Sequence, residues 1–280
     1  MRKEEIIGII EAALREDMPE GDITSESLVP PGSFSRAVIL AKQTGVLAGI
    51  DVARLVFEAV DTRVGFEKTL EDGQPFRPGD ILARVEGPSV SLLKAERTAL
   101  NFLQRMSGIA TKTHAYVEAV AGTETKILDT RKTTPTLRML EKYAVRKGGG
   151  VNHRFSLSDM VLIKDNHLRL VGSLSEAVRL AREKAKPGTR IEVEVTNFEE
   201  AREAIEAGAS MIMLDNMPLP RIKQVLAWVK GRVPVEVSGK ITPGKARRIA
   251  GLGVDYISVG SLTHSYSSVD ISLEFLGREP

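Results

Sequence analysis

Six short apolar runs punctuate the chain after residue 121: Lys126–Asp129, Met160–Lys164, Ile191–Val195, Met211–Asp215, Val235–Val237 and Tyr256–Val259. Stretches with the 3.6-residue apolar spacing of helices lie between them, for example Ser173–Lys184, Phe198–Ala207 and Pro218–Lys230. A strand that is apolar along its whole length is covered on both faces. Alternation with helices therefore predicts parallel strands joined by right-handed crossovers. The last four runs recur at about 22 residues and share no side-chain motif, which fits a βα barrel better than a solenoid.

The part before this rhythm reads differently. Ile6, Ile7, Ile10, Ala13 and Leu14 fall on one helical face within residues 3–16. From about residue 34 to 90, short β-type runs (Ala37–Leu40, Ile81–Val85) are broken by Gly45, Gly49, Gly73, Pro75, Pro78 and Gly87. The segment Glu71–Gly87 resembles the half-barrel of biotinyl and lipoyl carriers, yet it has no lysine to modify, so it reads as structural sheet. Residues 91–121 form a long helical region without proline, with Gly108 as a point where it divides in two. The class is α/β, with a first domain over 1–105 and a barrel domain over 106–267.

Lys plus Arg (39) nearly balance Asp plus Glu (37), for a net charge of +2, which argues against a general nucleic-acid or acidic-membrane binder. The absence of cysteine rules out disulfides, thiolate metal sites and a cysteine nucleophile. The opening MRKEEIIGII has no signal-type apolar run, and no stretch approaches the length of a spanning helix. A cytoplasmic protein is expected. Few amides, five Asn and four Gln, lean toward a thermophilic source.

In a βα barrel, chemistry gathers at the carboxyl ends of the strands. Here those ends carry Thr130, Arg131 and Lys132; Lys164, Asp165, Asn166 and His167; Glu194; Asp215 and Asn216; Ser238, Gly239 and Lys240; Gly260 and Ser261. Between Asp129 and Arg169 nine Lys or Arg face four acids, a local excess larger than the whole protein's net charge. Arg138, Lys142 and Arg146 fall at helical spacing and read as a solvated helix face. Arg131, Lys132, Arg154 and Lys164 read as an anion site, because a cation beside buried strands needs a partner. The turns Ser238–Gly244 and Gly260–Thr263 combine glycine with a helix start, which suits a phosphate; the plainer account of the first is a tight turn with Thr242 as N-cap and Pro243 opening the helix. Glu194 and Asp215 are either ion-pair partners of these cations or holders of Mg²⁺ and ribose hydroxyls. His153 is a further candidate, His167 supports its loop, and His114 reads as structural.

These residues stand in motifs. Gly21-Asp-Ile-Thr24, Glu96-Arg-Thr-Ala-Leu-Asn-Phe-Leu103, Ser107-Gly-Ile-Ala-Thr111, Asp129-Thr-Arg-Lys-Thr-Thr-Pro135, Lys147-Gly-Gly-Gly150, Asn152-His-Arg154, Lys164-Asp-Asn-His167, Glu192-Val-Glu194, Leu214-Asp-Asn216, Glu236-Val-Ser-Gly239 and Ser258-Val-Gly-Ser261 follow one another along nearly the whole chain. Their order resembles the quinolinate phosphoribosyltransferase family, the carboxylating nicotinate-nucleotide pyrophosphorylases. The resemblance implies an N-terminal α/β sandwich, completed by the tail 268–280, and an incomplete βα barrel. It also implies homodimers, or assemblies of dimers, that share active sites in the cytoplasm. Quinolinate would lie against Thr130, Arg131, His153, Arg154 and Lys164, with Arg97 from the neighbouring subunit. Phosphoribosyl pyrophosphate would meet Lys132, Glu194 and Asp215 with Mg²⁺, and its 5′-phosphate would meet Ser238, Gly239, Lys240, Val259, Gly260 and Ser261. Lys240 departs from the family pattern, where a smaller or amide residue is expected.

The implied reaction is phosphoribosyl transfer with decarboxylation, catalysed by placement and charge, with Lys132, Glu194 and Asp215 at its centre. The alternatives are a homologue with another pyridine acceptor, of the molybdenum-operon or nicotinate-using kind, a Schiff-base aldolase built on Lys164, and a non-catalytic anion-binding protein.

Overall fold

Residues 3–276 are described in the computed structural model. In chain order the elements are α1 (Lys3–Asp17), α2 (Ile23–Leu28), β1 (Phe34–Ala41), β2 (Gly45–Val46), α3 (Ile50–Val60), β3 (Gly65–Lys68), β4 (Pro75–Phe76) and β5 (Ile81–Pro88). Then come α4 (Ser89–Ala119), β6 (Lys126–Leu128), α5 (Arg138–Lys147), β7 (Val161–Ile163), α6 (Asp165–Val171), α7 (Leu174–Lys184), β8 (Ile191–Val195) and α8 (Phe198–Glu206). β9 (Met211–Asp215), α9 (Leu219–Val229), β10 (Val235–Ser238), α10 (Pro243–Ala250), β11 (Tyr256–Ser258), α11 (Ser261–His264) and β12 (Ile271–Phe275) complete the fold. They form two compact units. One comprises the chain up to His114, Thr133–Gly149 and the chain from Thr263 onward; the other comprises Ala115–Lys132 and Gly150–Leu262.

The first unit holds an antiparallel sheet in the order β12-β1-β5-β3. β12 pairs with β1 from Ala37↔Phe275 to Ala41↔Ile271, so the C-terminal strand forms its edge; residues 277–280 of the expected tail lie outside the described residues. The amphipathic α3 buries Ile50, Val52, Ala53, Leu55, Val56 and Phe57, and Phe57 meets Phe66 of β3 with ring centroids 5.8 Å apart. Its start is held by Asp72, which accepts hydrogen bonds from Gly49 N (2.9 Å), Ile50 N (3.0 Å) and the Tyr143 hydroxyl (2.7 Å). A carboxylate there satisfies helix-end donors and complements the helix dipole. The segment Glu71–Gly87 contributes β4 and most of β5, as structural sheet.

Gly108 does not divide the long helix: α4 runs unbroken from Ser89 to Ala119. A side chain at Gly108 would strike the Ser267 carbonyl, whose carbon lies 3.0 Å from the place a Cβ would take. The glycine serves close approach. Its neighbours stitch the helix to a loop, Ser107 Oγ accepting from Ala48 N (3.1 Å) and Thr111 Oγ1 from Val46 N (2.9 Å). A second difference concerns α5. Arg146 is exposed and Arg138 half-buried, but Lys142 is fully buried, so the solvated-face reading fails at that position.

The second unit is a parallel sheet in the order β6-β11-β10-β9-β8-β7, an open barrel, with a single parallel bridge from Leu128 to Val151 beyond β6. All six strands coincide with the apolar runs to within a residue or two. The crossover helices start at side-chain caps: Ser173 for α7, Asn197 for α8, and Thr242 followed by Pro243 for α10.

Candidate active site

The strand order sets the order of the ends around the barrel mouth: Thr130–Lys132 after β6, Val259–Ser261 after β11, Ser238–Lys240 after β10, Asp215 on β9, Glu194 on β8 and Lys164 after β7. The two glycine turns are neighbours, and so are the two acids. Arg97, on α4, belongs to the other unit, where it is exposed.

Asp129 is fully buried and organises the cationic side. It accepts His153 N through Oδ1 (2.9 Å) and the Asn152 amide through Oδ2. Thr130 Oγ1 accepts Lys132 N at 3.0 Å, which shapes the turn carrying Arg131. Arg154 donates from Nη1 to Met160 O (3.1 Å). Burial holds the Arg154 guanidinium below its usual pKa, and the nearby Arg131 charge pushes the same way. Glu192 and Asp159 act in the opposite direction, so the pair of guanidiniums is only partly balanced within the site.

Lys164 Nζ meets Glu194 Oε2 at 2.9 Å, with both side chains partly open to solvent. His167 supports this loop as expected, its Nδ1 accepting Lys164 N (2.9 Å) at the start of α6. Asp215 Oδ2 accepts from the Asn216 amide at 2.7 Å. Glu194 and Asp215 offer hard carboxylate oxygens at adjacent, half-open strand ends, a donor type that suits Mg²⁺.

The turn after β10 is tight. Gly239 has φ +105°, and a Cβ there would strike the Asn216 side chain and lie 2.8 Å from Asn216 N. Lys240 is also left-handed (φ 45°) and exposed. Lys245 Nζ donates to Gly239 O at 2.6 Å, adding a second ammonium to the turn. After β11, Val259 is buried and donates its N–H to Leu128 O (2.9 Å), leaving Gly260 and Ser261 at the start of the short α11.

His153 points inward. Its Nε2 lies 3.0 Å from Glu192 Oε2 and 3.4 Å from Glu236 Oε2, while Nδ1 accepts Arg154 N at 2.8 Å. Burial disfavours charge on the ring, but the Glu192 hydrogen bond and the nearby Glu236 carboxylate outweigh it and push its pKa up. The Arg154 N–H occupies the Nδ1 lone pair of the neutral Nε2–H tautomer and so opposes the protonation that the two acids favour. Burial, chiefly, raises Glu192. Glu192, Glu236, Asn216 and Lys245 were not singled out from sequence as functional. The signal for the two acids was present: each interrupts an apolar strand two residues before a site residue.

The family model for the quinolinate phosphoribosyl transferase N-terminal domain matches residues 22–107, and that for the C-terminal domain matches 109–274. The chain belongs to the quinolinate phosphoribosyl transferase family. It is 45% identical over 92% of its length to a probable nicotinate-nucleotide pyrophosphorylase [carboxylating] of Bacillus subtilis, covering 89% of that protein. It is 44% identical to the nicotinate-nucleotide pyrophosphorylase [carboxylating] of Mycobacterium leprae, with 95% of each chain covered. A solved structure of the nicotinate-nucleotide pyrophosphorylase from Francisella tularensis matches at 36% identity with a TM-score of 0.93, covering 99% of this chain and 98% of that one. Membership in this family of phosphoribosyltransferases sets aside the aldolase reading of Lys164. Among the described residues no helix is long and apolar enough to cross a membrane.

Proposed function

We propose that this chain transfers the phosphoribosyl group of phosphoribosyl pyrophosphate to the ring nitrogen of quinolinate, releasing pyrophosphate and CO₂ and yielding nicotinate mononucleotide in the cytoplasm. The observation that carries the reading is the arrangement of charge at the strand ends of a family member. In strand order the cations Arg131, after β6, and Lys164, after β7, stand at the two ends, with the two glycine turns and the Glu194–Asp215 pair between them and Lys164 held to Glu194 at 2.9 Å. A dianionic acceptor and a sugar carrying a phosphate and a pyrophosphate suit such a run of cations, acids and turn N–H groups.

In this reading Arg131, Arg154 and Lys164, with Thr130, hold the two carboxylates, and Arg97 reaches the same pocket from the neighbouring protomer of a homodimer. His153, with both ring nitrogens engaged, belongs to this wall by holding Arg154. Ser238, Gly239 and Lys240 with Val259, Gly260 and Ser261 receive the 5′-phosphate through turn N–H groups. Glu194 and Asp215 face the ribose and would hold Mg²⁺; when bound, it neutralises charge on the pyrophosphate. Lys132 adds positive charge on the same side. The C1–O bond to pyrophosphate breaks as C1 gains oxocarbenium character, and the pyridine nitrogen supplies the electron pair from the opposite face. The ring, now cationic, accepts the electrons of the adjacent C–CO₂⁻ bond as CO₂ leaves, and a proton takes its place. Nitrogen attack needs no general base.

Mass analysis of products from quinolinate and, separately, nicotinate with phosphoribosyl pyrophosphate and Mg²⁺ tests the reading. Nicotinate mononucleotide and CO₂ from quinolinate are expected, and turnover of nicotinate alone would overturn it. Arg131→Ala or Arg154→Ala should lower kcat/KM for quinolinate by about a hundredfold or more, since each removes a charge-assisted contact.

A further inference from the structure

Two acids beneath the pocket have no part in the chemistry above. Glu192 precedes Glu194 by two residues on β8, and Glu236 precedes Ser238 by two on β10. Side chains alternate along a strand, so each acid shares the face of a site residue, one layer further from the strand end. Both are fully buried. Glu192 Oε1 and both Glu236 carboxylate oxygens lack a hydrogen bond among the described residues. Buried charges are a poor source of stability, since apolar side chains of similar volume often replace a whole buried ion pair without loss.

What the two acids share is His153. Glu192 accepts from Nε2 at 3.0 Å, and Glu236 closes on the same nitrogen at 3.4 Å. The other ring nitrogen accepts the Arg154 backbone N–H (2.8 Å), and the His153 backbone N–H is held by buried Asp129 (2.9 Å). The segment that presents Arg154 is thus anchored from within the barrel, through an imidazole whose orientation the two carboxyls set.

We propose that Glu192 and Glu236 are positioning residues for the acceptor half of the site, acting through His153 to hold Arg154 beside Arg131. The proposal rests on the functional reading above. It separates the two substrates: the carboxylate wall depends on this support, whereas the glycine turns after β10 and β11 do not.

The test uses the full chain with Glu192→Gln, Glu236→Gln and Glu236→Leu. KM for each substrate, kcat and the calorimetric affinity for quinolinate are measured. Leucine at 236 should raise the quinolinate KM and Kd by about tenfold or more, with the phosphoribosyl pyrophosphate KM changed by less than about twofold. Glutamine, which keeps an oxygen acceptor for Nε2–H, should restore most of the affinity. Should the leucine variant fail to fold, the near-isosteric glutamine pair still reports the split between substrates. Equal changes in both KM values, unchanged quinolinate affinity, or glutamine no better than leucine would overturn the proposal. So would one tightly held divalent metal per chain that disappears in Glu236→Gln, since the triad would then be a metal site. A parent enzyme inert toward quinolinate sinks the functional reading itself; an active parent with indifferent variants sinks only this inference.

Discussion

Gly239 shows how a single position can be decided by space and conformation together. Its φ of +105° disfavours any L side chain, and Asn216 N would lie 2.8 Å from an added Cβ. Gly239→Ala should cost about 2 kcal/mol or more. It should also raise KM for the sugar substrate more than for quinolinate; thermal unfolding and steady-state kinetics read the two effects. Asp61 is a second such position. Hydrogen bonds from Arg63, Ser91 and the Arg63 backbone hold its carboxyl well below the usual range. A depressed carboxylate stabilises the fold above its unfolded pKa, near about 3.9. That contribution fades as pH falls through the lower folded value. Asp61→Asn should therefore be less stable than the parent at neutral pH, with the gap closing in acid, as denaturant melts across pH will show.

At the scale of elements, helix starts were the most legible feature. Thr242 and Pro243 announced α10, and each apolar run became a strand. The long helix was misread at Gly108 because a glycine signals either a break or a close approach, and only the Ser267 backbone distinguishes them. Lys142 was misread because periodicity assigns a face but does not say what covers it. Glu192 and Glu236 were passed over for a similar reason, since an acid inside an apolar strand has no meaning until a second strand brings its partner. The capping of α3 yields its own expectation. Asp72 serves Gly49 N, Ile50 N and Tyr143, so Asp72→Ala should cost about 1–3 kcal/mol. Tyr143→Phe, which removes one of these bonds, should cost about 1 kcal/mol. Chemical denaturation measures both.

For the whole molecule, the fold class and the parallel sheet were readable from pattern and the tail strand of the antiparallel sheet only from the family resemblance, whereas sharing of sites between protomers depends on a partner chain. A mixing experiment tests the proposed dimer. Arg97→Ala and Arg131→Ala proteins, each strongly impaired alone, should on refolding together regain about a quarter of parental activity if Arg97 serves the neighbour's site. No recovery from well-folded, re-associated chains would place Arg97 and Arg131 in the same protomer's site.

The path of the chain between the two units bears on how such enzymes can be recombined. Thr133–Gly149 folds with the N-terminal unit, yet it interrupts the other unit just after Lys132 and just before the Asn152–Arg154 motif. Its α5 buries Leu140, Glu141, Lys142, Ala144 and Val145, and a side chain on Gly148 would lie 2.7 Å from Thr113 Cβ. A chimera spliced from two relatives at residue 108, where the family models meet, would inherit a mismatched insert. A successful graft must carry residues 133–149 along with the N-terminal portion, so the unit of exchange is discontinuous in the gene.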